Sequence, residues 1–454
     1  MTPILRLAIL IPLTSVGGLL GYSPLPTSRS IVRVSRWAAT TTTATAAAPS
    51  RVELLESAKP SANPDGDTNE YWDWRGQTIR YRSAGVTENG ANAPAVLLVH
   101  GLFVNADHWR HTLPALAAAG FRAYAIDLLG NGYSSKPPPT GPHAEAISGE
   151  TNRPEVAAGL QNVELGTASG GSRVVEQVDL AHPVQGSVYN FYTWAEQLED
   201  FAADVVHGSG GGSGDGEKVV LVTNSIGTIS GLQAAVDKPE VFDGVFVVNP
   251  NFRELHTAES PAFIQPAVQA VQGVLRSSGQ GLFNALAKPG TVKQILLEPY
   301  CDPATVTDDL VDVLLTPLLR PGSADVVFDT LSYSAGPLPE QLLQSWPLRI
   351  FKGGSPNAAN NLGAAGSSNN GFYGVEICYG AADPWTPPAR VDALRRCASV
   401  RGVTALKGVG HCPHDERPDL VNPLVVDFVT RVVAARTSAS ASGGLSSYGA
   451  PRLV

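Results

Sequence analysis

Cysteine and charge are both scarce in this chain, and each scarcity removes a class of protein. Four cysteines among 454 residues, at positions 301, 378, 397 and 412, are too few and too scattered for a disulfide scaffold or a zinc site of paired C-x-x-C motifs. Charged residues make up 16% and the net charge is −9, so the electrostatic footprint of a nucleic-acid binder is missing. No P-loop, no Rossmann glycine pattern and no histidine cluster with metal-ligand spacing occurs, and no cofactor is expected. The 46 glycines and 35 prolines follow no Gly-X-Y period, which excludes collagen and points to many loops. What is present is an apolar fraction of 43%, enough for a sizeable core and too much for a chain disordered throughout. The length is roughly three times the ~150 residues of a first domain prior, allowing one enlarged domain or two to three small ones.

The first fifty residues also lack something: they hold Arg6, Arg29, Arg33 and Arg36 but no aspartate, glutamate or lysine. An apolar stretch over 7–20, broken by Pro12, is shorter than the ~20 residues that span a bilayer. A Ser/Thr/Arg/Ala-rich run over 23–50 follows it. That order is expected of a signal segment followed by a transit segment, so residues 1–50 read as a targeting presequence directed to a plastid. A membrane anchor is the competing reading of 7–20.

From Tyr71 the texture is that of a packed domain. YWDWRGQTIRYRSAG reads as two short strands around Arg75-Gly76. AVLLV over 95–99 is a continuous apolar run, as expected of a parallel strand covered on both faces. A helical pattern over 105–119 and a strand over 122–126 complete a βαβ unit. Residues 137–187 show no sustained periodicity and read as a loop insertion, as do 208–216 and 353–371. Further strands are expected over 218–222, 244–249, 374–379 and 401–406, and further helices over 192–207, 226–236 and 418–435. The alternating core is thus expected over 71–251 and 346–436. A helical segment without strands is inserted at 252–345, and the Ser/Ala/Gly tail over 437–454 is expected to be disordered. The fold class is α/β, a mostly parallel sheet flanked by helices.

The strongest local signal is VVLVTNSIGTISGLQAA, where a buried strand runs into Thr223-Asn224-Ser225-Ile226-Gly227 and then a helix. A serine at such a turn is held in a strained backbone with its hydroxyl exposed at the end of the strand. Thr223 stands where a small residue is usual. An ordinary helix N-cap serine is the bland alternative.

A serine hydroxyl is a weak nucleophile at neutral pH and needs a base, which in turn needs an orienting carboxylate. Asp383 follows the strand VEICYG, and His411 lies in Gly-Val-Gly-His-Cys-Pro between the last strand and the last helix. Loops after parallel strands converge on one edge of a sheet, so Ser225, Asp383 and His411 can meet there. His414 competes with His411 as base, and Asp127 competes with Asp383 as acid. The glycine-rich approach favours His411, and the position of Asp127 before the serine favours a loop-shaping role. An oxyanion hole would draw on the N–H groups of Ile226 and of Leu102 in His100-Gly101-Leu102-Phe103. His100 itself reads as a structural hydrogen-bonding residue. Phe103, Trp109 and Trp385 flank these loops as candidates for substrate contact, with simple packing as the alternative. Ile264, Val268, Val271, Val274 and Leu275 are spaced along one helical face, as internal packing or as a ligand wall.

The segments LLVHGLFVNADHWRHTLPALAAAGFRAYAIDLLGNGYSSKP, NSIG, YGAADPW and GVGHCPHDERPDLVNPLVVDFV together resemble the α/β-hydrolase superfamily. They are most similar to its pheophytinase-like branch of plant and algal plastid hydrolases. The resemblance implies hydrolysis of the phytyl ester of pheophytin or chlorophyll, a cap formed by the insertion after NPNFRELH, and peripheral contact with the thylakoid membrane. Serine rather than aspartate at the nucleophile position separates the chain from the dehalogenase and epoxide hydrolase chemistries of the same fold. A lipase-like or acyl-transferring enzyme on the same triad, and a ligand sensor with little turnover, are the competing functions.

Overall fold

The computed structural model describes residues 69–443 apart from 168, 170, 209–217, 254–255, 260–262, 264 and 351–371. The expected presequence at 1–50, the insertion at 353–371 and nearly all of that at 208–216 lie outside these residues.

Strands β1 (Glu70–Trp74) and β2 (Gln77–Ala84) form the hairpin around Arg75-Gly76. Strands β3 (Ala95–Val99) and β4 (Arg122–Ile126) flank helix α1 (Thr112–Ala118). In place of one helix over 105–119, a short 3₁₀ turn (Ala106–Trp109) precedes α1.

The insertion at 137–187 is not irregular. It folds into helices α2 (Pro142–Ile147) and α3 (Pro154–Ala158) and an antiparallel pair, β5 (Leu160–Gly166) with β6 (Ser172–Val178). The ribbon buries little more than Leu165 and Val178 against Val156, Leu180, Tyr192 and Leu338, so its strands lack the apolar alternation that would announce them.

Helix α4 (Phe191–Phe201) then leads to β7 (Val219–Ser225), α5 (Gly227–Asp237) and β8 (Phe242–Pro250). Between β8 and β9 (Gly374–Gly380) the described residues form helices α6 (Gln265–Leu286), α7 (Pro289–Leu296), α8 (Asp308–Leu318), α9 (Ser323–Ser332) and α10 (Pro339–Ile350). Helix α11 (Pro388–Ala393), β10 (Val400–Leu406) and α12 (Pro418–Gly443) complete the fold. Helix α12 continues through alternating Ser/Ala sequence beyond residue 436, so the tail expected to be disordered from 437 begins as helix.

The main sheet has the order β1-β2-β4-β3-β7-β8-β9-β10. Every pair from β4 to β10 is parallel, and β1 and β2 are antiparallel. Strand residues alternate between two cores. Leu97, Val99, Leu221, Val245 and Ile377 meet α4 and α5 on one face. Val96, Leu98, Val220, Val222 and Phe246 meet α1 and α12 on the other. Leu342 and Leu343 of α10 lie in the first core, so this helix, which crosses the 345/346 boundary expected between insert and core, is part of the layer over the sheet.

Of the stripe expected along α6, Val271 packs against Phe283 and Phe328 while Val274 is exposed. Ile264 and the side chains of Val268 and Leu275 lie outside the described residues. No helix among the described residues is long and apolar enough to cross a membrane.

The inserted α2–β6 segment brings Glu150 into the interior, where its carboxylate accepts the His182 N–H at 3.0 Å. Burial pushes this carboxyl up to about 7, against the hydrogen bonds from His182 and Tyr333. The native state therefore holds a proton that the unfolded chain releases near pH ~4.3, and stability is lost as pH rises through that window. Glu150→Gln should match the wild type in thermal unfolding near pH 4.5 and exceed it at pH 8; an unchanged difference across that range would contradict the account.

Candidate active site

The site begins where β7 ends. Ser225 has φ +53°, a left-handed backbone conformation costly for a residue with a side chain. It is paired with Pro250 at the end of β8, and Ile226 starts the turn into α5. The reversal fits because small residues face it. A Cβ on Gly101 would sit 3.1 Å from the Ser225 Cβ and 2.8 Å from Asn224 Oδ1, so the His100–Phe103 loop lies directly against the turn. Thr223, the unusual residue of the motif, is wholly buried and its hydroxyl lies 3.2 Å from that of Thr228. Its methyl group fills the space left by Gly231, where a Cβ would approach to 2.6 Å. The bulk added at one position is thus offset by a missing side chain one helical layer above.

Asp383 and His411 meet. The His411 Nδ1 lies 2.6 Å from Asp383 Oδ2, both side chains being almost fully buried. The carboxylate has two further donors: Asn249 Nδ2 at 2.6 Å on the same oxygen and the Trp385 N–H at 2.7 Å on Oδ1. Burial pushes the Asp383 carboxyl up, but the His411 ring, the Thr386 hydroxyl and the Trp385 N–H outweigh it and hold the group below its ordinary value. An ionised Asp383 accepts the Nδ1 proton, which leaves Nε2 of His411 as the basic nitrogen. Ser225 reaches the same edge through the β7–β8 pairing, Asn249 being the neighbour of Pro250 in β8. No hydrogen bond joins the Ser225 hydroxyl to the His411 ring in the structure; contacts of this kind commonly tighten only in the reacting complex.

The competing residues are engaged elsewhere. Asp127 accepts the N–H groups of Ala106 and Tyr133, each at 2.7 Å, and pairs with Arg80, so it shapes its own loop. His414 is buried against His108, with Nε2 3.2 Å from Nδ1. His100 bridges the Gly101 carbonyl at 2.7 Å and the Leu128 N–H at 3.1 Å, and burial lowers its pKa, so it is a neutral loop brace.

Of the expected substrate contacts, Trp385 is half-buried with its ring centre 4.8 Å from that of His411. Phe103 is half-buried at φ +57°. Trp109 is different. It has no exposed surface, lies tilted against His414 with ring centres 4.1 Å apart and belongs to the core under α12, because the 3₁₀ turn points it inward; it is packing and not a substrate contact.

Asn249 is the residue that sequence reading missed. It sits at φ +49°, a conformation asparagine tolerates better than most residues, and holds both Asp383 and, through Oδ1, the Gly380 N–H at 3.1 Å. Its only sequence signal is an asparagine ending a buried strand in Asn249-Pro250-Asn251. Among the described residues no group of three or more His, Cys, Asp or Glu is arranged to hold a metal ion.

A parallel sheet with a strained serine turn, a buried His–Asp pair and a helical insert defines an α/β hydrolase, and the chain belongs to the alpha/beta hydrolase family, whose model matches residues 96–424. Among curated proteins, chloroplastic pheophytinase of Arabidopsis thaliana is 24% identical over 366 residues, covering 80% of this chain and 66% of that protein. The chain thus spans slightly less than two thirds of that relative. Bifunctional epoxide hydrolase 2 of Rattus norvegicus is 51% identical over 47 residues, 10% of this chain and 8% of that protein. Among solved structures, 2-hydroxy-6-oxo-6-phenylhexa-2,4-dienoate hydrolase from Rhodococcus sp. strain RHA1 aligns with a TM-score of 0.49 at 18% identity, over 80% of this chain and 99% of that one.

The fit between Thr223 and Gly231 has a measurable consequence. Gly231→Ala should destabilise the fold by about 2 kcal/mol, the cost of overfilling a packed site. Thr223→Ser in the same background should recover most of the loss in urea denaturation, and no recovery would show that the two positions are not in competition.

Proposed function

We propose that the protein is a serine carboxylic-ester hydrolase acting on a lipophilic ester. The observation that carries this reading is the buried 2.6 Å contact between His411 and Asp383 at the sheet edge where Ser225 is held at positive φ. In the reaction, His411 Nε2 takes the proton of the Ser225 hydroxyl as its oxygen attacks the ester carbonyl. The N–H groups of Leu102 and Ile226 receive the oxyanion, each contributing roughly 3 kcal/mol to the transition state. His411 then gives the proton to the departing alcohol, and Asp383 stabilises the imidazolium between the two transfers. Water repeats the sequence on the acyl-enzyme, releasing the acid and restoring Ser225. Phe103 and Trp385 flank the acyl group.

For the substrate, the similarity to Arabidopsis pheophytinase over 80% of the chain supports the phytyl ester of pheophytin or chlorophyll. It supports a plastid location equally. A lipid-borne ester also agrees with the exposed Phe263 and Val274 of the helical insert, which suit contact with a membrane surface such as the thylakoid.

Wild-type protein should be labelled stoichiometrically at Ser225 by a fluorophosphonate and should release phytol from pheophytin faster than it releases fatty acid from a galactolipid, as followed by chromatography. Ser225→Ala should lose both labelling and turnover while keeping its unfolding transition. A folded wild type that takes no label would favour a non-catalytic ligand sensor instead, and faster galactolipid hydrolysis would favour a lipase.

The Asn249 clamp gives a second expectation. Asn249→Ala removes a hydrogen bond to a charged group, worth about 2 kcal/mol, so kcat/KM should fall roughly tenfold to a hundredfold with the label still reaching Ser225. Unchanged kcat/KM would mean that Thr386 and the Trp385 N–H orient Asp383 without Asn249.

A further inference from the structure

The loop that carries His411 is held from outside the sheet. The His411 N–H donates to the Pro299 carbonyl at 2.7 Å, and Pro299 belongs to the segment between α7 and α8 of the helical insert. The carboxylate of Glu416, itself only 4% exposed, spans the two pieces. Its Oε2 accepts the Gly410 N–H at 2.8 Å, immediately before His411, and its Oε1 accepts the Asp302 N–H at 2.8 Å, on the insert.

Contact at this seam is close. A Cβ on Gly410 would lie 2.2 Å from the Pro299 carbonyl oxygen, so only glycine lets the two backbones meet. A third tie runs through Tyr300, whose hydroxyl donates to Asp415 Oδ2 at 2.7 Å and faces His108 Nε2 at 2.9 Å. His108 in turn receives His414 at Nδ1, and burial pushes its pKa down to about 4, so the chain consists of neutral rings ending on one carboxylate. Arg110 completes that end, 2.7 Å from Asp415 Oδ1.

We propose that Glu416 is a positioning residue which, with Tyr300, latches the insert segment 299–302 to the His411 loop and thereby sets the place of the histidine ring. The helical insert is then a component of the base as well as a roof. This rests on the serine-hydrolase reading for its effect on turnover, but the latch itself is a physical contact that can be read without activity.

Glu416→Gln keeps the shape and one acceptor and turns its second oxygen into a donor facing an N–H. With a p-nitrophenyl ester, kcat per labelled active site should fall about tenfold with KM within twofold, and fluorophosphonate labelling of Ser225 should slow by the same factor. Amide hydrogen exchange should quicken together in 296–302 and 408–412 and stay unchanged in α5. Tyr300→Phe, which keeps the ring and loses the Asp415 bond, should move the same readouts in the same direction by less, and it serves if the first variant does not fold.

Wild-type kcat per active site in both variants, or exchange that quickens throughout the fold or in only one of the two segments, overturns the proposal. If the wild type takes no label, the hydrolase reading fails separately. In that event coupled exchange of the two segments supports the latch, and uncoupled exchange refutes it.

Discussion

The site depends on a backbone reversal completed within one residue. For β7 to pass directly into α5, Ser225 must adopt a left-handed conformation at φ +53°, which costs about 1–3 kcal/mol at a residue other than glycine. Such a conformation survives only where its surroundings over-determine it. Here they do so by close approach: the His100–Phe103 loop lies against the turn across Gly101, and β8 pairs with the serine itself. Asn249, also at positive φ, carries the constraint sideways from β8 to Asp383 and so to His411. Two strained residues on adjacent strands therefore fix three loops.

Electrostatics and packing act together at this edge. Asp383 is nearly enclosed, and in isolation that burial would favour its neutral form; the His411 ring and hydrogen bonds from Thr386 and the Trp385 N–H reverse the preference. A buried carboxylate that stays ionised can hold one imidazole tautomer without competing with water for it. The neighbouring buried histidines, His108 and His414, have no carboxylate in direct hydrogen-bond contact and are held neutral by desolvation, which separates them from His411 despite their proximity in space.

Much of this was legible in the sequence because it rests on strong, local signals. Strands β3 and β7 are largely apolar runs bounded by loops, Ser225 ends β7 and Asp383 follows the mostly buried β9, whereas His411 follows the more polar β10 and is marked by its glycine-rich approach. What escaped was governed by contacts distant along the chain. The β5–β6 ribbon is largely solvated and carries no clean alternation. Trp109 reads as a loop aromatic near the site, yet one 3₁₀ turn sends it into the core. Asn249 and Glu416 look like ordinary polar residues until the 134 positions separating Asn249 from Asp383, and the 114 separating Asp302 from Glu416, are closed by folding. Helix α12 outlasted its expected end because Ser/Ala composition resembles a tail while alanine sustains a helix.

The carbonyl of Pro299 on the His411 amide bears on how such a fold could be altered. Inserts of this kind are often regarded as interchangeable modules, replaced to change what an enzyme accepts while the chemistry stays put. In this chain a graft bounded at β8 and β9 would also remove a main-chain acceptor and two anchoring points from the His411 loop. Altering selectivity by transplantation would therefore require the donor to bring its own short bracing peptide, in register with the glycine at 410.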